Sequence, residues 1–259
     1  MYSFLHHILS DKKGGAVFTC FGGWHFIYIF LALGAAAVLL WRLKGCSRDQ
    51  KLRSARTVGA VAFGLYVADF FLMPLAYGEI DIEKLPFHAC TAMCVICFLS
   101  HRIACLERHR PSFALLAFLS NFVYLIYPAG VMWHRVGPLS YRVVQTLLFH
   151  GIMTVYGILM LACEGERLRF RTCWRELTTL LAMTLWALLG NLVYNGESEG
   201  YSHFFNWFFV VRDPFYLLPE GVSPFVMPFL NMVVFFAAEM LVYLVLHWIH
   251  LREKAASGR

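Results

Sequence analysis

Read for its apolar and polar positions, the chain falls into long apolar blocks separated by short polar stretches. Each block is about 20 residues, the length that crosses a hydrocarbon core of about 30 Å. Seven such spans are predicted, with six as the alternative count: Trp24–Leu43, Thr57–Tyr77, Pro86–Cys105, Ser112–Met132, Tyr141–Ala162, Arg175–Tyr194 and Pro224–Ile249. Trp24 and Trp41 bracket the first, as interfacial aromatics do. Pro86, Pro111 and Pro224 stand at span starts, where the missing N–H of proline would be unpaired anyway. Tyr127-Pro128 is expected to kink or end the fourth span. The pattern predicts an all-α, polytopic membrane helix bundle, a single domain over residues 1–259.

Composition agrees with this reading. Of the 259 residues, 59% are hydrophobic and 15% charged, with a mean hydropathy of +0.61. Soluble domains carry roughly 25% charge. The net charge of +6 is therefore no sign of nucleic-acid binding, and membrane lipid is the expected partner. The distribution of that charge carries more information. Arg42, Lys44, Arg48, Lys51, Arg53 and Arg56 follow span one; Arg102, Arg108 and Arg110 follow span three. Arg167, Arg169, Arg171 and Arg175 follow span five, and Arg252, Lys254 and Arg259 follow span seven. The opposite side receives only Lys12, Lys13, Lys84, Arg135, Arg142 and Arg212. By the positive-inside rule the N-terminus lies outside and the C-terminus in the cytoplasm, as a multi-pass protein of the cell membrane. Met1–Ser10 lacks a basic start and apolar run, so no cleavable signal is expected.

The loop of about Asn195–Ser223 lies on the outer side and carries Tyr201, Phe204, Phe205, Trp207, Phe208, Phe209, Phe215 and Tyr216. A solvated linker would not hold so many rings. It is expected to lie as an interfacial or re-entrant segment over the bundle's mouth.

Polar groups at membrane depth are costly and so are functional candidates. Counting 1.5 Å per residue, Asp69 lies about 12 Å below the outer boundary, His88 within about 3 Å and His150 about 14 Å. Asn191 and Asn231 fall about 8–10 Å below it, and Asn121 near the middle. Thr146, His150 and Thr154 share one helical stripe, which should face the bundle interior. The polar set thus gathers beneath the aromatic loop, with Asn121, Asn191, Asn206 and Asn231 as candidate substrate-binding groups. Interhelical hydrogen bonding is the plain alternative for each. A thiol beside an imidazole makes a nucleophile, and a carboxylate can orient the imidazole. Cys90 is the candidate nucleophile, His88 and His150 the candidate bases, and Asp69 the orienting or relay group. His88 and Cys90 point about 200° apart on a regular helix, so His150 is the better partner for Cys90. Cys94-Val-Ile-Cys97 reads as packing within an apolar helix; no metal or cofactor is expected.

Pro86-Phe87-His88-Ala89-Cys90 resembles the P-L-H-x-C segment of the YwaF-type integral membrane proteins of bacteria. His150 stands where that family has a histidine in a later span. Asn206-Trp207-Phe208 with Arg212-Asp213-Pro214 resembles its N-Y-x-F…K-P loop, and Leu218–Pro224 its L-G-P-W-P stretch. The family is similar to a eukaryotic transmembrane acyltransferase that remodels ether phospholipids through a cysteine thioester. The resemblance implies lipid acyl transfer or hydrolysis. In that enzyme the cysteine directly precedes the histidine, a place held here by Phe87, so His88 alone carries over by position. Two functions are expected on these grounds: a lipid-acyl enzyme, or a non-catalytic transporter or sensor using the same cavity.

Overall fold

In lipid every backbone N–H and C=O must be bonded within the protein, so apolar blocks of this length fold as helices. The structure, a computed structural model, describes residues 16–78, 81–132, 134–198, 201–203 and 205–257. Met1–Ser10, Lys12, Lys13, Phe204 and Arg259, which entered the sequence reading, lie outside these residues. The helices in chain order are α1 (Gly23–Arg42), α2 (Arg48–Tyr77), α3 (Ala89–Ser100), α4 (Ala104–Glu107), α5 (Arg110–Ile126), α6 (Ala129–Met132), α7 (Tyr141–Glu164), α8 (Trp174–Tyr194) and α9 (Ser223–Ser257). A small antiparallel ribbon, Gly196–Ser198 with Tyr201–His203, follows α8.

Among the described residues, six helices are long and apolar enough to cross a membrane: α1, α2, α5 with its continuation into α6, α7, α8 and α9. The third expected span, Pro86–Cys105, is shorter than its apolar run. Its continuous helix is the 12 residues Ala89–Ser100, roughly 18 Å of rise, and Ala104 and Cys105 belong to the separate short α4. The carbonyl of Pro86 accepts the indole N–H of Trp186 at 2.6 Å, so proline sits in a turn ahead of the helix. At the other end Arg102 donates to the carbonyl of Phe98, and the amides of Arg102 and Ile103 close on Leu99. The chain still passes from one pole of the bundle to the other here. Lys84 pairs with Asp69 at one end, and Arg110 with Glu164 at the opposite end of α7 from Tyr141.

Other boundaries move for local reasons. Ser47 and Gln50 form a capping box, so α2 starts at Arg48 rather than Thr57 and carries its basic residues on the helix itself. Pro128 ends α5 at Ile126, and Ala129–Met132 is a separate turn.

The central helix is α7, with Leu147, Met153, Tyr156, Leu159 and Met160 each at most 1% exposed. α1, α2 and α5 pack around it. The outward faces are apolar: Phe30, Leu31, Leu192, Phe225 and Phe229 are all strongly exposed. This inside-out surface is what a lipid solvent permits. Where α5 and α7 cross, a Cβ on Gly157 would stand 2.5 Å from Phe118 Cβ and 2.8 Å from its Cα. Backbone cannot yield as a side-chain tip can. Gly157→Ala is therefore expected to cost about 1–3 kcal/mol, read as a lower melting temperature in detergent. Melting at the wild-type temperature would show that the crossing tolerates a wider separation.

Candidate functional site

α7 brings His150 to the bundle interior, 5% exposed. Its Nδ1 lies 2.8 Å from Asn121 Oδ1 on α5. The Asn121 amide nitrogen donates to the carbonyl of Ala117 at 2.8 Å, which fixes which end of the amide faces the ring. An amide oxygen only accepts, so His150 Nδ1 carries the proton and Nε2 is left with a lone pair. The ring stacks on Tyr124, centroids 3.9 Å apart. Thr154 donates back to the carbonyl of His150.

His88 is set the opposite way. It caps α3 in an extended conformation, and Thr91 donates to its carbonyl at 3.1 Å. Its Nδ1 receives the amide N–H of Phe208 at 3.2 Å. A nitrogen that accepts cannot hold the proton, so neutral His88 carries it on Nε2. One imidazole thus keeps a lone pair on Nε2 and the other an N–H. Cys90, near the start of α3, is partly buried. Among the described residues no hydrogen bond joins Cys90 to either histidine side chain.

Asp69 is 1% exposed. Tyr141 donates to it at 2.6 Å and Lys84 pairs with it at 3.0 Å. Lys84 also donates to Gln145 on α7 at 3.1 Å. The carboxylate thus fixes the lysine that precedes the Pro86–His88 turn. Among the described residues Asp69 contacts these two groups and neither histidine.

The aromatic loop folds into the bundle's mouth. Trp207 and Phe208 are 1% and 2% exposed, while Phe215, Tyr216 and Leu217 project outward. Phe208 and Phe209 hold left-handed backbone, φ 54° and 53°, which non-glycine residues rarely adopt. Asparagines hold this conformation. Asn191 donates to the carbonyl of Trp207 and accepts its amide, both at 3.2 Å. Asn231 donates to the carbonyl of Phe208 at 2.7 Å. Asn206 accepts from Val211 and Arg212 and donates to the carbonyl of Arg212. Asp213 accepts the amides of Phe215, Leu217 and Leu218, which keep its carboxyl below the usual carboxylate range. Three of the four asparagines expected near a substrate thus bond the loop's backbone, and Asn121 orients His150.

Phe87 sits in an aromatic cage of Trp186, Tyr194 and Trp207, with centroids 5.0, 5.9 and 4.9 Å away. A Cβ on Gly190 would meet that ring at 2.4 Å, so α8 needs glycine there. The residue before His88 is therefore a structural anchor for the loop.

Sequence reasoning missed Lys84, Tyr141 and His25. His25, fully buried, accepts the amide of Phe21 at Nδ1 and donates from Nε2 to the carbonyl of Leu125, both at 2.8 Å. It closes the start of α1 on the end of α5. The signal was present: His25 stands at the mouth of span one, as His88 does at that of span three.

Residues 20–249 match the model of the TMEM164 family. No curated protein and no solved structure matches the chain.

Proposed function

The chain belongs to the TMEM164 family of membrane proteins, and from that premise and its two oppositely protonated histidines we propose a membrane enzyme of lipid acyl transfer. The complementary tautomers carry the reading: one ring is prepared to take a proton and the other to donate one. His150 Nε2 takes the proton of Cys90. The thiolate attacks the carbonyl carbon of a phospholipid ester, and the ester C–O bond breaks. His88 Nε2–H faces the developing negative charge on the carbonyl oxygen. The lysolipid leaves as an alcohol with the proton from His150, and the acyl group remains on sulfur as a thioester. A hydroxyl of a second lipid, or water, then attacks the thioester and releases Cys90.

Asn121 holds the tautomer of His150. Asp69, through Lys84, holds the turn that carries His88. Asn191, Asn206 and Asn231 hold the loop over the site, so they shape access for a substrate through its backbone.

The test is covalent label. Purified wild type incubated with acyl-labelled phospholipid is expected to gain hydroxylamine-sensitive label, as should Cys94→Ser, while Cys90→Ser gains none. No label on wild type with any phospholipid class would reject acyl transfer and leave the transporter or sensor reading. Loss in Cys94→Ser alone would move the nucleophile one turn along α3.

The proposed orientation puts the loop outside and the Glu164 pole in the cytoplasm, in the cell membrane, with α3 as the seventh crossing. Arg48, Arg110 and Arg167 all converge on Glu164, which supports a single basic face. In a background free of native cysteines, an impermeant thiol reagent added outside should label Ser198→Cys and spare Ser47→Cys. The reverse pattern would invert the topology, and labelling of both would break the alternation.

A further inference from the structure

At the pole opposite His88, a groove of about 290 Å³ opens between the end of α1, the start of α2 and the end of α7. Its walls are Leu40, Leu43, Leu159 and Ala162, with Trp41 and Cys163 beside them and Lys44 and Lys51 also lining it. We propose that this groove binds an anionic phospholipid, one acyl chain along the leucines and the phosphate between the two lysines.

Three observations on the molecule support this. The walls are apolar and continuous with the outward face of α1, where Trp41 is 75% exposed, so the groove opens toward the hydrocarbon. Lys44 stands just beyond the end of α1 and Lys51 within the first turns of α2, at the ends of two helices long and apolar enough to cross a membrane. Neither lysine forms an ion pair among the described residues. The nearby carboxylate, Glu164, is engaged by Arg48, Arg110 and Arg167 and offers them no partner. Two ammonium groups on the rim of an apolar groove match an amphiphile with a negative head. A zwitterionic head brings its own cation to the same place and gains less. A soluble anion would use the lysines but leave the leucines empty. The inference does not depend on the acyl-transfer reading, since the groove shares no residue with that site.

Native mass spectrometry of the detergent-solubilised full chain tests it. Dioleoyl phosphatidylglycerol and dioleoyl phosphatidylcholine are titrated in parallel, with inorganic phosphate as a third arm. Wild type is expected to prefer phosphatidylglycerol by about tenfold, from two lysine contacts to an anionic head. Lys44→Ala/Lys51→Ala should erase the preference. Arg169→Ala/Arg171→Ala removes the same charge from exposed positions at the same pole, outside the groove lining, and should keep it. Ala162→Trp fills the groove with the charges intact and should weaken both lipids. Equal binding of the two lipids by wild type would overturn the proposal. So would loss of preference in both double variants, which would mean general charge attraction. Equal protection from lipid release by millimolar phosphate would mean a headgroup site without a chain. Each variant is first compared with wild type for melting in phosphatidylcholine, and if the lysine pair does not fold, Ala162→Trp against the arginine pair decides.

Discussion

His150→Ala is expected to slow formation of the acylated protein by about 10²–10⁴-fold, the usual contribution of a positioned general base. A buried thiol is a poor nucleophile until its proton has somewhere to go. In the proposed reaction the lone pair on His150 Nε2 is the acceptor, and it exists because Asn121 Oδ1 occupies the Nδ1–H. The sharper test is therefore Asn121 itself, which the proposed reaction uses only through His150. Asn121→Leu removes the acceptor and frees the ring to move its proton to Nε2; partners of this kind are worth about 10–100-fold where they have been measured around metal-bound histidines. Asn121→Asp keeps an acceptor at that point and should retain more of the rate than leucine does. A merely structural asparagine would show no such ordering, because aspartate is the worse residue to bury. His88→Ala should fall as well, through loss of its Nε2–H and of the Phe208 amide contact. If Asn121→Leu melts like wild type and labels at the wild-type rate, the protonation argument fails even should Cys90 prove to be the nucleophile.

The helices were legible because lipid leaves the backbone few alternatives, and the apolar blocks mark where it has none. The shortened third element was less so. Hydropathy carries on through Cys105, but Trp186 takes the Pro86 carbonyl and Arg102 turns back on Phe98. Both are contacts to single atoms that no window average registers. His88, His150 and Asp69 stood out as candidates from the cost of polar groups at depth. Their partners were not, since Asn121 could equally have glued two helices and Lys84 stands in a loop. The asparagines show the limit most clearly. Asn191 and Asn231 were expected beneath the aromatic loop as groups for a substrate, and what they bond is the backbone of Trp207 and Phe208. Backbone has no sequence signature, so a latch on main chain reads the same as a ligand for substrate. Glu164 escaped for a different reason: it lies just past the expected end of span five, where a charge is normally a solvated one.

Glu164→Gln is expected to destabilise the protein by about 3–5 kcal/mol, the cost of breaking a buried ion pair from one side. The carboxylate is 0% exposed and holds three arginines from three places in the chain. Arg110 at the start of α5 grips it with two bonds of 2.8 and 2.9 Å, a bidentate geometry. Arg48 from α2 and Arg167 from the turn after α7 reach the same Oε1 at 2.7 and 2.8 Å. These partners are not equivalent. The Arg48 side chain is 54% exposed, so Arg48→Ala rehydrates what it loses and should cost under about 1 kcal/mol. The Arg110 side chain is 8% exposed and has no such escape, so Arg110→Ala, which strands the carboxylate, should approach the cost of Glu164→Gln. Removing both members and restoring the volume tests whether the cost is that of a widowed charge. Arg110→Met/Glu164→Leu is expected to regain much of the loss, because apolar replacement of a buried pair is often neutral or better. The recovery will be incomplete, since Arg48 and Arg167 also lose their partner. Unfolding of the four variants in one detergent gives the order directly. Glu164→Gln melting within a degree of wild type would show that this cluster closes no part of the bundle, and a double variant worse than either single would show that the charges themselves are needed there.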